Sequence, residues 1–360
     1  MEYRRFVLAV LWFTAGFVVL AACFNFMIDP ASLFHPDGER GAAVILSERG
    51  DIGVMGKDYD DRFLQKYRIS LEKQRQIEWL VVGSSRAMLV SEPMLGPELI
   101  NLSVSGASVE DLVALLHIGA NRISPRNILI EIDPWLFNVN NGQVSWKSLA
   151  PEYSLALDEL GLGRAGSASS AMASSGAVDK YLQLISLDYF KASMKRRLIE
   201  GASRPRFFRV PPFVELPAEY VVNRRDGSRV YERESYKRSL AEVRASALND
   251  GRPPAYSLAG YQRISPDVLA ILDAVIRKYQ SNVKIALLLS PYHPITFKMI
   301  ADRYPMVNEA EAVVRALAAK YNLKLVGSYD PAAAGCVETE FFDGLHPMDS
   351  CIRKIIQSLR

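Results

Sequence analysis

Hydrophobic and polar positions alternate on three different scales along this chain. From Phe6 to Ile28 no residue is charged and nearly all are apolar. At about 1.5 Å per residue, a helix of that length spans the roughly 30 Å hydrocarbon core of a bilayer. Further on, short apolar runs recur at Trp79–Val82, Leu99–Ser103, Ile128–Ile132, Val283–Leu289 and Leu323–Val326. Their length and turn-rich flanks predict buried β-strands. Between them, apolar residues recur at helical spacing over Val109–Ile118, Pro266–Tyr279, Val307–Tyr321 and Met348–Leu359. Strands alternating with helices imply parallel βαβ units.

The alternation stops between Trp135 and about Ser265. There Ala165–Ala177 is rich in Ala, Ser and Gly and reads as a loop, and Tyr181–Leu198 and Tyr231–Leu248 read as helices. Pro205–Pro217 carries Phe207, Phe208 and Phe213 among prolines and arginines. The predicted organisation is therefore an anchor over 1–30, a polar, partly helical connecting segment over 31–76, and an α/β domain from 77–134 and 266–360. Residues 135–265 form a mostly helical insertion. Within the connecting segment, Asp60–Lys73 carries Phe63, Leu64, Tyr67 and Leu71, a pattern suited to a helix lying on the core.

Charge adds direction. Arg4 and Arg5 precede the apolar run, which favours a cytoplasmic N-terminus and an exported remainder. A cleaved signal peptide is the alternative, as is a lipoprotein, because Leu20-Ala21-Ala22-Cys23 resembles the bacterial lipobox. The apolar run continues through Phe24, Phe26, Met27 and Ile28, which favours the uncleaved anchor. The net charge of +3 is too small to argue for nucleic acid, and P-loop and HExxH motifs are absent. Neither a cofactor nor a metal is expected. Beyond the anchor the chain has two cysteines, Cys336 and Cys351. In an oxidising compartment they could pair and pin the loop between them, or stay as buried thiols.

Candidate chemistry sits at the strand ends. Val81-Val82-Gly83-Ser84-Ser85-Arg86 ends a strand in a tight turn, where an open α/β sheet presents its reacting groups. Ser85 there needs a base. Four histidines are present, and His346 alone follows an aspartate closely, in Asp343-Gly344-Leu345-His346. Such a pair can supply both a base and the group that orients it. His293, after the strand ending at Leu289, is the rival base. His117, inside a helix, reads as a packed or surface residue, and His35 as a surface loop residue. Gly106 precedes a helix with Ser108 as predicted N-cap, so its N–H could face a developing negative charge.

These blocks resemble the SGNH (GDSL-type) hydrolase superfamily, especially its membrane-anchored bacterial branch of envelope acyl esterases and O-acyltransferases, the neighbourhood of the DltD-like proteins. The family's Gly-Asp-Ser block is similar to Gly83-Ser84-Ser85, its Asn…Ser-Gly block to Asn101–Gly106, and its Asp-x-x-His block to Asp343–His346. The resemblance covers about residues 77–134 and 283–360. It implies a flavodoxin-like three-layer α/β/α sandwich with a parallel sheet. It also implies Ser85, His346 and Asp343 as a catalytic triad, with the Ser85 and Gly106 N–H groups as the oxyanion hole. The third family block, Gly-x-Asn-Asp, is replaced by Asp133-Pro134-Trp135. Its side-chain donor is then missing, unless Asn138 substitutes, and Asp133 could pair with Arg86 instead.

Two functions follow. One is an exported, membrane-anchored serine esterase or O-acyltransferase acting on acyl, most simply acetyl, esters of an envelope polysaccharide. The resemblance implies a membrane-bound O-acyltransferase as a partner for it. The other is a non-catalytic scaffold of the same fold that binds glycan or an assembly partner.

Overall fold

The computed structural model describes residues 2–29, 34–35, 37–54, 59–74, 76–163, 181–195, 197–198, 207–211 and 220–360. The loop expected over 165–177 and most of 205–217 lie outside the described residues. The first helix, α1 (Glu2–Ile28), is long and apolar enough to cross a membrane, and along most of its length its apolar surface packs against nothing among the described residues.

After α1 come α2 (Asp37–Ser47), β1 (Ile52–Val54) and α3 (Asp61–Leu71). The α/β part starts with β2 (Gln76–Val82), α4 (Glu92–Leu95), β3 (Leu99–Asn101), α5 (Val109–Arg122) and β4 (Ser124–Glu131). Then follow α6 (Ala150–Glu159), α7 (Leu187–Lys195), β5 (Phe207–Arg209), β6 (Val221–Asn223), β7 (Arg229–Val230), α8 (Arg233–Tyr236) and α9 (Leu240–Asp250). The chain closes with α10 (Pro266–Tyr279), β8 (Lys284–Leu289), α11 (Pro294–Arg303), α12 (Met306–Lys320), β9 (Lys324–Gly327) and α13 (Asp349–Ile356). Helix starts follow their caps. Ser108 and Asp111 form a reciprocal capping box on α5, and the Ser265 hydroxyl accepts from Val268 N ahead of Pro266 at the head of α10.

Five strands form one parallel sheet in the order β3-β2-β4-β8-β9. Alternate side chains enter opposite faces, as the two-residue period of a strand requires. Leu80, Val82, Ile128, Ile130 and Leu287 pack with residues of α5, α10 and α12. Trp79, Val81, Leu129 and Leu288 pack with Cys351, Ile352 and Ile355 of α13 and with Ala87–Leu95. Cys336 and Cys351 are disulfide-bonded, with Cα atoms 5.4 Å apart.

The second sheet was not anticipated. It is antiparallel, in the order β5-β1-β6-β7, over a small core of Ala42, Ala43, Leu46, Ile52, Val54, Leu64 and Val221. Its central strand, β1, comes from the stretch expected to be a connecting segment, and its other strands come from the stretch expected to be a mostly helical insertion. Strands from 31–76 and from 135–265 therefore pair in one small sheet, while Trp146, Leu149, Tyr153 and Leu157 pack in the main core. The helix expected over Tyr231–Leu248 is two helices, because Ser239 starts α9 with its own capping box to Glu242.

Candidate active site

The order of the parallel sheet reverses direction between β2 and β4, since β3 lies outside β2 and the later strands lie beyond β4. The crevice outside the strand ends at such a switch point is where α/β sheets bind ligands. Ser85 follows β2 there. The turn is held from beneath: Ser84 N donates to Glu131 Oε2 at 2.8 Å, and Arg86 N donates to the Ser84 hydroxyl at 3.2 Å. Gly83 is required by proximity, since a Cβ there would lie 2.6 Å from the Cβ of Glu131. Close strand contact, rather than a sharp backbone bend, explains this glycine. Asn101 braces the same turn, donating to Ala87 O and Val90 O at 2.9 Å each.

Ser85, His346 and Asp343 come together as the sequence predicted. Ser85 Oγ lies 3.0 Å from His346 Nε2, and His346 Nδ1 lies 2.9 Å from Asp343 Oδ2. Asp343 Oδ1 also accepts from the backbone N–H of Leu345 and of His346, at 2.8 Å each. Burial alone would raise the Asp343 pKa, but the adjacent His346 and these donors bring it down to about 2. The aspartate is thus a fixed anion facing Nδ1, an arrangement in which Nε2 accepts the serine proton. Tyr231 packs beside the imidazole, with ring centroids 5.9 Å apart, and its hydroxyl donates to Ser85 O at 3.1 Å.

Gly106 lines the same cavity at φ +55°, a left-handed conformation that suits glycine. Its loop is anchored by α3. Asp61 accepts from Ser105 N at 2.6 Å, and Arg62 reaches Gly106 O at 3.4 Å while gripping Asp111 with two bonds of 3.0 and 2.9 Å. The cavity is about 490 Å³. Sheet one supplies the triad side. Val54, Val221 and Arg229 of the second sheet, with Tyr231 and Tyr256, form much of the remaining wall. These wall residues were missed from the sequence, since nothing in their local pattern ties them to Ser85. The Asp60-Asp61-Arg62 charge cluster at a helix start was the one visible cue.

Arg86 and Asp133 are paired at 2.5 Å, both enclosed. Arg86 Nε also donates to Leu345 O at 3.0 Å, one of its terminal nitrogens donates to Ser290 O, and the guanidinium lies over the Tyr292 ring, 4.1 Å from the centroid. Burial opposes the charge on Arg86, but Asp133 more than compensates and its pKa is raised. Glu131, beside them, is pushed well above the ordinary carboxylate range by burial and by the Asp133 charge. As bare carboxylates, Glu131 Oε1 and Asp133 Oδ2 have no donor among the described residues. A protonated Glu131 would supply the missing donor and leave the Arg86–Asp133–Glu131 cluster electrically neutral.

The other candidates stand apart from the cavity. Asn138 is buried and spends its amide on Ser257 O and Ala259 O, at 2.9 and 3.0 Å, so it does not replace the missing donor. His293 is fully buried against Phe341, and its Nδ1 accepts from Ile295 N at 3.1 Å as a helix cap; it is not a rival base. His117 packs on α5 beside Glu159, at 3.4 Å. Comparison of the chain with models of known protein families and with curated proteins gives no match.

Proposed function

We propose that this protein is a serine-dependent ester hydrolase or acyltransferase of SGNH type. The observation that carries the reading is the continuous chain Ser85 Oγ–His346 Nε2–Asp343, at 3.0 and 2.9 Å. The parallel sheet, renumbered within itself, runs 2-1-3-4-5, the order of flavodoxin-like folds. This order supports the resemblance seen in the sequence.

Ser85 attacks an ester carbonyl while His346 Nε2 takes its proton, and Asp343 stabilises the imidazolium that forms. The oxyanion is held by the N–H groups of Ser85 and Gly106, neither of which hydrogen-bonds within the described residues. His346 then returns the proton to the leaving alcohol, giving an acyl-Ser85 that water or a sugar hydroxyl attacks. Asp133 does not oppose the oxyanion, because Arg86 neutralises it. The loss of the third family donor costs the reaction about 3 kcal/mol of transition-state stabilisation. A membrane-crossing α1 with Arg4 and Arg5 on the cytoplasmic side puts the cavity on the outer side, where an envelope glycan is the acceptor or donor. A membrane-bound O-acyltransferase is the partner that would supply the acyl group.

The test is labelling of the full chain with a fluorophosphonate serine probe. Labelling of wild type that is lost in Ser85→Ala and His346→Ala supports the reading. A folded wild type that takes no label refutes it and favours the non-catalytic, glycan-binding scaffold.

A further inference from the structure

The insertion returns to the anchor. About 20 helical residues cross a hydrocarbon core, so a core entered at Phe6 is left near Asn25. Asn25 is fully buried, and its amide donates to Leu184 O at 2.8 Å. At the same level Phe24 packs on Phe190, with ring centroids 5.6 Å apart, and Phe34 packs on Tyr181 at 5.7 Å. The Tyr189 hydroxyl donates to Asp29 Oδ1 at 2.7 Å. Residues 181–190, a helical turn and the start of α7, are thus fastened to the outer end of α1. An aromatic cluster at this depth is the usual companion of a membrane–water boundary.

The same segment exposes apolar side chains. Leu182, Ile185 and Leu187 are 51, 58 and 66% exposed. One exposed leucine is ordinary, but three within six residues form a patch. The patch is continuous with α1 through Tyr181, Phe34 and Phe26, and Met27, near the end of α1, is exposed. We infer that residues 181–187 are a second membrane contact, lying in the headgroup–acyl boundary of the bilayer that α1 crosses, with Leu182, Ile185 and Leu187 in lipid. The occupant of the patch is phospholipid, because the patch sits where the spanning helix leaves the hydrocarbon. The soluble part is then held at a fixed height and tilt rather than swinging on one helix. The inference rests on α1 crossing the membrane.

The test uses the full chain in phosphatidylcholine vesicles, in a Cys23→Ser background that removes the free thiol. Single variants Leu187→Cys, Ile185→Cys, Leu11→Cys and Leu155→Cys each carry an environment-sensitive fluorophore. Leu11 reports the middle of α1, and Leu155 is an exposed apolar position on α6. Probes at 185 and 187 are expected to be quenched several-fold more by nitroxide-labelled lipid, and several-fold less by aqueous iodide, than the probe at 155. Iodide quenching equal to that at 155 overturns the inference. Shielding from both quenchers also overturns it, since protein then covers the patch. A probe at position 11 that lipid does not quench overturns the spanning helix itself, so the two failures are distinguishable.

Discussion

Arg86→Met removes a guanidinium that is fully enclosed and leaves Asp133, only 1% exposed, without its counter-charge. Stripping one partner from a buried ion pair costs about 3–5 kcal/mol. The carbonyls of Leu345 and Ser290 lose their donor as well, at about 1 kcal/mol each or more. The expected deficit is therefore about 5 kcal/mol, a large part of the ~5–15 kcal/mol by which a domain is stable. Asp133→Asn on top of Arg86→Met removes the stranded charge and should restore about half of that loss. Equilibrium urea unfolding of the detergent-solubilised chain, followed by tryptophan fluorescence, measures all three proteins. A loss under about 1 kcal/mol in Arg86→Met, or a double variant no more stable than the single one, refutes the neutral-cluster reasoning.

Glu131→Gln should fold at least as well as wild type, since the amide accepts from Ser84 N and donates to Asp133 as the protonated acid does. Because Glu131 has a raised folded-state pKa, its advantage over wild type should grow as pH rises through the neutral range in the same unfolding assay. Asp343, held down at about 2, contributes stability that is complete above its unfolded pKa and is lost as pH falls from there through about 2. Asp343→Asn should abolish that acid-side loss and slow fluorophosphonate labelling by orders of magnitude, with a wild-type rate refuting the triad. Cys351→Ser opens a cross-link of 15 residues' separation that brackets Asp343 and His346. It should cost about 3 kcal/mol of thermal stability and slow labelling. Gly106→Ala puts a Cβ 2.3 Å from Tyr256 Oη at a positive φ, so labelling should fall, and Tyr256→Phe should relieve only the steric part.

The parallel sheet was legible because its strands are buried on both faces and read as unbroken apolar runs. Val283–Leu289 in sequence corresponds to Lys284–Leu289 in the fold, and the predicted helix Pro266–Tyr279 agrees end to end. The Ser85–His346–Asp343 contacts were legible because a Gly-Ser-Ser turn and an Asp-x-x-His turn are local patterns. The second sheet was not. Ile52–Val54 and Val221–Asn223 are three residues each, too short to show a period, and they pair across more of the chain than any local signal spans. The helix Asp37–Ser47 escaped for the related reason that only one side of it is buried, against that same small sheet. Arg229, Tyr231 and Tyr256 enter the cavity only because that sheet and the loops around it are folded over Ser85. Their position depends on tertiary structure alone.

Ser85 and His346, paired in the proposed chemistry, are 261 residues apart in the chain. When the ribosome has made β2 and its turn, Ser85 is an ordinary alcohol with nothing to take its proton. It remains so while the second sheet, the long middle stretch and β8 are synthesised. His346 follows β9, so it can reach Ser85 only after every strand of the parallel sheet has been made. A product released before His346 lacks, by the same topology, the contact that the proposed chemistry needs.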